Sequence, residues 1–312
     1  MHSSAEFAFV LGTGRCGSSL VHEIIARHPE VAFVSNLEDR LPFLPVPSRS
    51  NNDLYRWVPD RLTKKGRLRF APSEAYRILD REVSPMISAP VRDLLAEDVT
   101  PWLELRFRAF FASRAAAQRR PLFLHKFTGW PRSGFVQRIF PEARFIHVVR
   151  DGRAVANSFL QMPWWDGYRG PEGWSWGPLP TAYAREWADS DRSFAVLAGL
   201  EWKLLMDAID TARELVPGPQ WLEVRYEDFV SAPRDQMRGI LEHLQLEWTP
   251  EFERSFRRYR FDAGRRDAFR RDLGIHDVSM LDASLAPVLE RHGYVTANHS
   301  PAPPSRREED RR

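Results

Sequence analysis

The chain opens on a short apolar run, Phe7 to Leu11, that breaks at Gly12, Gly14 and Gly17 and resumes with Leu20, Ile24 and Ile25 at helical spacing. This pattern predicts a buried strand, a tight glycine turn and an amphipathic helix. Apolar runs of strand length recur at Val31–Val34, Leu122–Lys126, Arg144–Val149 and Leu222–Arg225. Between them, helices are predicted over 73–81, over 102–119 with Leu103, Phe107, Phe110 and Phe111 on one broad face, and over 182–215 as one or two helices stopped by Pro217-Gly218-Pro219. A proline-broken loop, Leu41 to Pro47, and a polar stretch to about Gly66 follow the second strand, and 297–312 reads as a disordered tail. Strands alternating with helices predict an α/β fold: a central, mostly parallel sheet flanked by helices, in a single domain over 1–296.

Composition narrows the partners. Only four residues are lysine, which leaves 41 of the 45 basic side chains as arginine, but 42 acidic residues bring the net charge to +3. That balance describes solvated ion pairs better than a nucleic-acid surface, and no nucleic-acid partner is expected. The single cysteine, Cys16, can form no internal disulfide, which fits a reducing compartment. No long apolar segment precedes the first strand, so neither a signal peptide nor a membrane span is predicted, and a cytoplasmic protein is expected. No internal repeat is visible.

The glycine turn carries the first chemistry. Backbone N–H groups at the start of the following helix would face an anion. Gly12 to Ser19 matches an ATP-type phosphate loop except that Ser18 stands in the place of the lysine, which disfavours an NTPase or kinase. Gly12, Gly14 and Gly17 also spell the dinucleotide fingerprint, with Glu38 downstream as a ribose ligand. A dinucleotide loop has no use for Arg15, whereas a cation inside the loop suits a charged group in transfer.

A second constellation bears on the choice. The predicted strand Arg144–Val149 ends in Arg150, and the helix after it carries Ser158 eight residues on. Ligands of open α/β sheets bind beyond the carboxyl ends of strands, which sends Arg150 toward the same crevice as the glycine loop. In these features the chain resembles the sulfotransferases that use 3′-phosphoadenosine 5′-phosphosulfate (PAPS). Their 5′-phosphosulfate loop is similar to Gly12–Ser19, their 3′-phosphate motif to Arg150 and Ser158, and a late strand followed by a nucleotide-contacting tyrosine to Leu222–Val230 with Tyr226. The resemblance runs from about Phe7 to Tyr294 and leans toward the branch that holds tyrosylprotein and many bacterial sulfotransferases.

The resemblance implies the P-loop-like sulfotransferase fold and transfer of a sulfuryl group to a hydroxyl or amine by in-line displacement with general-base assistance and no metal. It implies that Gly14, Arg15, Cys16, Gly17, Ser18 and Ser19 hold the 5′-phosphosulfate, that Arg150, Ser158 and Tyr226 hold the rest of the nucleotide, and that Arg15 and Lys126 neutralise charge on the bridging oxygen. Glu38 is the expected base if the loop after the second strand is two residues longer than in tyrosylprotein sulfotransferases; without that shift Asn36 falls there and cannot take a proton. His125 is a reserve base, although strand alternation points it away from Lys126. The acceptor, whether small molecule, glycan or peptide, would meet the segment Met162–Pro180, where Trp164, Trp165, Trp174 and Trp176 form either an acceptor lid or pins for an irregular insertion. An NAD(P)-dependent oxidoreductase, or nucleotide binding without catalysis, stays open on the residues alone.

Overall fold

In a computed structural model of the chain, residues 5–41, 48–59, 70–262 and 266–294 are described below. Five strands form one sheet in the order β2-β3-β1-β4-β5: β1 Glu6–Gly12, β2 Val31–Ala32, β3 Leu122–Thr128, β4 Arg144–Val149 and β5 Trp221–Arg225. Every pairing is parallel. Parallel neighbours need long crossovers, and here helices supply them and cover both faces of the sheet.

Alternation along the strands sorts the core into two layers. Phe9, Leu11, Phe123 and Phe127 face one side and pack with Phe107, Phe111 and Phe135. Ala8, Val10, Leu122 and Leu124 face the other, with Val21, Ile24 and Ile25 of helix α1, Ser18–Ile25. On β3 the same alternation sends His125 into the phenylalanine layer, fully buried, and Lys126 toward α1. A third cluster joins the helices Gly152–Leu160, Phe194–Leu215 and Ile275–Arg291 through Phe159, Trp202, Met206 and Leu285.

The chain leaves β1 for one side of the sheet and returns through β4 on the other. The β1–β4 junction is therefore the place where connections diverge and a crevice opens beyond the strand ends. The register sets Gly12 beside Thr128 and Leu11 beside His147, so three strand ends converge there.

Several predicted elements shift. The second strand is only Val31–Ala32, and the polar stretch after it contains a helix, Asn51–Trp57; residues 42–47, 60–69 and the predicted tail 297–312 lie outside the described residues. The long helical pattern divides into Thr181–Asp189 and Phe194–Leu215, because Asp191 and Arg192 take left-handed backbone, φ 54 and 56, and turn the chain between them. Thr100 caps the helix Pro101–Gln118 through its bond to the Leu103 N–H, and Pro101 fills the first helical position. The helix predicted from 73 begins at Tyr76. Ahead of it the chain runs extended beside residues 34–36, just past β2, with Ser73 N–H bonded to Val34 O at 2.8 Å and Asn36 N–H to Ala71 O at 2.9 Å. This extended run brings Glu74 into the crevice.

Candidate active site

The loop between β1 and α1 is shaped by left-handed backbone at Gly14 (φ 90), Arg15 (φ 53) and Gly17 (φ 97). Such a run turns successive N–H groups toward one point, an anion nest, at the N-terminus of α1. No side chain caps α1 and no acidic residue lies in its first turn, so that end keeps its donors and its partial positive charge. Gly17 also allows a close approach: a Cβ there would lie 2.4 Å from the Tyr226 ring.

Two cavities meet at this loop. One, of about 490 Å³, is lined by Arg15, Gly17, Ser18, Ser19, Arg150, Asn157, Ser158, Tyr226, Phe269 and Arg271 among others. Arg15 Nε donates to Ser158 Oγ at 2.8 Å, Arg150 donates to the Arg15 carbonyl at 2.9 Å, and the Arg150 guanidinium sits 4.7 Å from the centre of the Tyr226 ring. Residues separated by more than 100 positions in sequence thus share one chamber. Asp151 holds the arm in place: it caps the helix Gly152–Leu160 and pairs with Arg153, which reaches Asp282 at 2.5 Å on the helix Ile275–Arg291. The paired carboxylates raise the Arg153 pKa against the burial that would lower it.

The other cavity, of about 520 Å³, shares Arg15, Ser18 and Ser19 with the first and continues to Glu74, Tyr76, Lys126, Thr128, Trp130, Phe159, Trp164, Trp165, Asp166, Trp176 and Glu201. At the junction Lys126 Nζ donates to Ser19 Oγ at 2.8 Å and forms an ion pair with Glu74. Thr128 Oγ1 donates to the same Glu74 oxygen at 2.8 Å. Burial opposes ionisation of Glu74, but the Lys126 charge and the surrounding donors outweigh it and hold the carboxyl below its ordinary range.

Among the expected site residues, Gly14, Arg15, Gly17, Ser18, Ser19, Lys126, Arg150, Ser158 and Tyr226 all line one or both cavities. Four others stand elsewhere. Glu38 does not reach either cavity: its Oε1 accepts from Arg114 Nε at 2.6 Å, and Arg114 also holds Glu82 at 2.9 Å. Ser35 caps the helix Asn36–Arg40 and turns Glu38 toward the helix Pro101–Gln118, where burial raises its pKa against the pull of Arg114. Asn36 accepts from the Ala71 N–H and so tethers the run that delivers Glu74. The Cys16 side chain points into the core beneath Gly12, leaving only its backbone at the loop. His125 lies among Phe9, Phe111 and Phe127 with no hydrogen bond to either ring nitrogen, and burial pushes its pKa down to about 3.

Sequence reasoning overlooked Glu74, Glu201, Phe269 and Arg271. Pro72-Ser73 ahead of Glu74 was an available signal that no helix starts there. Glu201 was visible as a lone acidic residue within the apolar stretch Phe194–Leu200 and Leu204–Met206. Nothing local distinguishes Phe269 and Arg271, which reach the chamber through packing of their short helix against Gly152–Leu160.

Comparison with known proteins bears on the same stretch of chain. The profile of the sulfotransferase family matches residues 8–250. The chain belongs to the sulfotransferase family. It is 26% identical over 214 residues to omega-hydroxy-beta-dihydromenaquinone-9 sulfotransferases of Mycobacterium bovis and Mycobacterium tuberculosis, covering 65% of this chain and 48% of theirs. The chain thus spans about half the length of the curated relatives it matches. A sulfotransferase of Mycobacterium avium superposes with a TM-score of 0.56 at 18% identity, over 94% of this chain and 78% of that one. The sulfotransferase domain of the curacin biosynthetic pathway gives 0.54 at 13% identity, over 94% and 99%. These likenesses establish the P-loop-like sulfotransferase fold. Within this family member no helix among the described residues is long and apolar enough to cross a membrane.

Proposed function

We propose that this sulfotransferase family member moves a sulfuryl group from PAPS to the hydroxyl of a small-molecule acceptor. The observation that carries the reading is the meeting of two cavities at Arg15, Ser18 and Ser19, with a lysine–glutamate pair on the far side of the junction. The first cavity has the size of a nucleotide site. It has an anion nest at one end and Arg150 and Arg271 for a second phosphate, with the Tyr226 and Phe269 rings beside them.

The bound donor supplies the sulfuryl group and departs as adenosine 3′,5′-bisphosphate. The loop N–H groups, Ser18 and Ser19 orient the 5′-phosphosulfate, and Arg15 and Lys126 neutralise the charge that grows on the bridging oxygen as its bond to sulfur breaks. On the opposite side Glu74 takes the acceptor's hydroxyl proton while the acceptor oxygen bonds to sulfur, giving a sulfate monoester, the bisphosphate and one proton for later release to water. Lys126 links the two halves. Drawn from Glu74 toward the donor, it stops depressing the carboxyl pKa, and the same burial that opposed ionisation then makes Glu74 a stronger base. The base is therefore assigned to Glu74 and not to Glu38, whose carboxylate serves Arg114.

The test joins binding to turnover. Adenosine 3′,5′-bisphosphate at 100 times its Kd should stabilise the fold by about 2.7 kcal/mol without Mg²⁺, and NAD(P) should do little. With labelled donor and an acceptor panel, Glu74→Gln should lose about 10²–10⁴-fold in kcat while keeping bisphosphate binding, and Glu38→Gln should keep turnover. An active Glu74→Gln variant would refute the assignment of the base.

A further inference from the structure

The turn that carries Arg150 is braced from behind by a part of the chain that lines neither cavity. Arg150 and Asp151 follow β4, and Tyr226 and Glu227 follow β5. The second pair grips the first. The Tyr226 ring lies beneath the Arg150 guanidinium, 4.7 Å from it, and Glu227 Oε1 accepts from the Asp151 N–H at 3.2 Å. Glu227 is buried, and its other oxygen accepts from the Tyr294 O–H at 2.9 Å. Tyr294 is placed by the turn that ends the helix Ile275–Arg291: Gly293, at φ 69, sends the chain back so that the Tyr294 N–H bonds to the Leu289 carbonyl at 2.7 Å. Arg225 completes the seat, donating to the His292 carbonyl at 2.9 Å with its guanidinium 4.3 Å from the centre of the Tyr294 ring.

The same helix reaches Asp151 a second way, since Asp282 pairs with Arg153 and Arg153 pairs with the Asp151 carboxylate at 2.7 Å. Asp151 is therefore held both by its side chain and by its backbone. His292 ties the turn to the helix Phe194–Leu215 through Asp210, at 3.1 Å.

We propose that Tyr294 is a positioning residue for the 3′-phosphate of the donor: through Glu227 and the Asp151 N–H it fixes the direction in which Arg150 leaves β4, and so sets how strongly the site prefers nucleotides that carry that phosphate. The proposal rests on the donor reading, in which Arg150 meets the second phosphate.

The Asp151 N–H shares a rigid peptide plane with the Arg150 carbonyl, so holding it fixes the backbone from which the arginine springs. The Arg15 carbonyl and the Tyr226 ring hold the head of that side chain, and the Glu227 bridge holds its root. A guanidinium held in advance gives up less freedom when it meets a phosphate. The bridge needs both of its ends. A buried carboxylate that loses the Tyr294 hydroxyl is left short of a donor and shifts toward another, which loosens its bond to Asp151. Burial and the Glu227 charge raise the Tyr294 pKa, so the phenol keeps the proton it donates.

The test compares adenosine 3′,5′-bisphosphate with adenosine 5′-monophosphate by calorimetry on the full chain. The bisphosphate should bind the tighter, and the ratio of the two affinities measures the grip on the 3′-phosphate. Tyr294→Phe keeps the ring beneath Arg225 and removes one hydroxyl; it should lower that ratio about fivefold while changing monophosphate affinity less than about twofold. In turnover it should raise the KM for the donor and leave kcat nearly unchanged. Arg150→Ala should collapse the ratio, and adding Tyr294→Phe to it should lower the ratio no further. A Tyr294→Phe variant with an unchanged ratio would overturn the proposal, as would equal weakening of both nucleotides or full additivity with Arg150→Ala. A ratio that Arg150→Ala leaves intact would instead sink the assignment of Arg150 to the second phosphate, and the proposal with it.

Discussion

Replacing Glu201 by glutamine isolates what it costs to keep a carboxyl buried on the helix Phe194–Leu215, where it accepts from Trp165 Nε1 at 2.8 Å. Burial is the main cause of its raised pKa, Asp166 adds repulsion, and the indole N–H groups of Trp165 and Trp176 only partly offset them. The folded protein therefore keeps this proton up to about pH 8, whereas an unfolded chain loses it near 4.5. Stability from the group is fully present below 4.5, falls as pH rises toward 8 and levels off above it. Each tenfold difference in proton affinity is about 1.4 kcal/mol, so the loss across that window is of the order of 3–5 kcal/mol. Glutamine keeps the shape and the indole-accepting oxygen without ionising. Urea unfolding of both proteins at pH 5, 6.5, 8 and 9 should give nearly equal stabilities at pH 5 and a growing advantage for Glu201→Gln, reaching a few kcal/mol at pH 9. Taking the difference cancels other titrations, including His292, whose carboxylate neighbours raise it to about 9 against burial. A difference that stays flat across the series would refute the claim that Glu201 is held neutral by burial.

Other perturbations reach different parts of the site. Gly17→Ala should remove bisphosphate stabilisation in a thermal shift assay, because it places a Cβ 2.4 Å from Tyr226 at a φ of 97. Arg150→Ala should weaken bisphosphate binding at least tenfold by calorimetry, since it removes the guanidinium that stands beside the loop carbonyl of Arg15 and the Tyr226 ring in the cavity that Gly17 also lines. Arg153→Met should cost about 3–5 kcal/mol in urea unfolding, because Asp151 and Asp282 would be left buried without their shared cation.

The expected base and the carboxylate that lines the crevice show where reading the chain stops. Glu38 followed the second strand at a suggestive distance, but its direction depends on a helix of five residues and on Arg114, which lies 76 positions away. Glu74 falls in the first turn of the helix predicted over 73–81 and drew no notice there. It reaches the crevice because residues 71–73 bond to Val34 and Asn36, just past β2, a contact invisible to local spacing. His125 and Lys126, by contrast, were legible as neighbours on opposite faces, since alternation is a local property of a strand.

By itself the sequence determined the strand–loop–helix at Phe7–Ile25, the parallel α/β architecture and the loop, arginine and tyrosine motifs that line one cavity at the crevice. Each of these follows from backbone geometry over a few residues or from the rule that strand ends carry the site. Only the tertiary structure decided which carboxylate lines the cavity beside the phosphate loop, which tryptophans join it there and that a buried glutamate accepts from one of them, Trp165. Those outcomes depend on burial and pairing between distant segments, where desolvation and a single counter-ion outweigh any local preference.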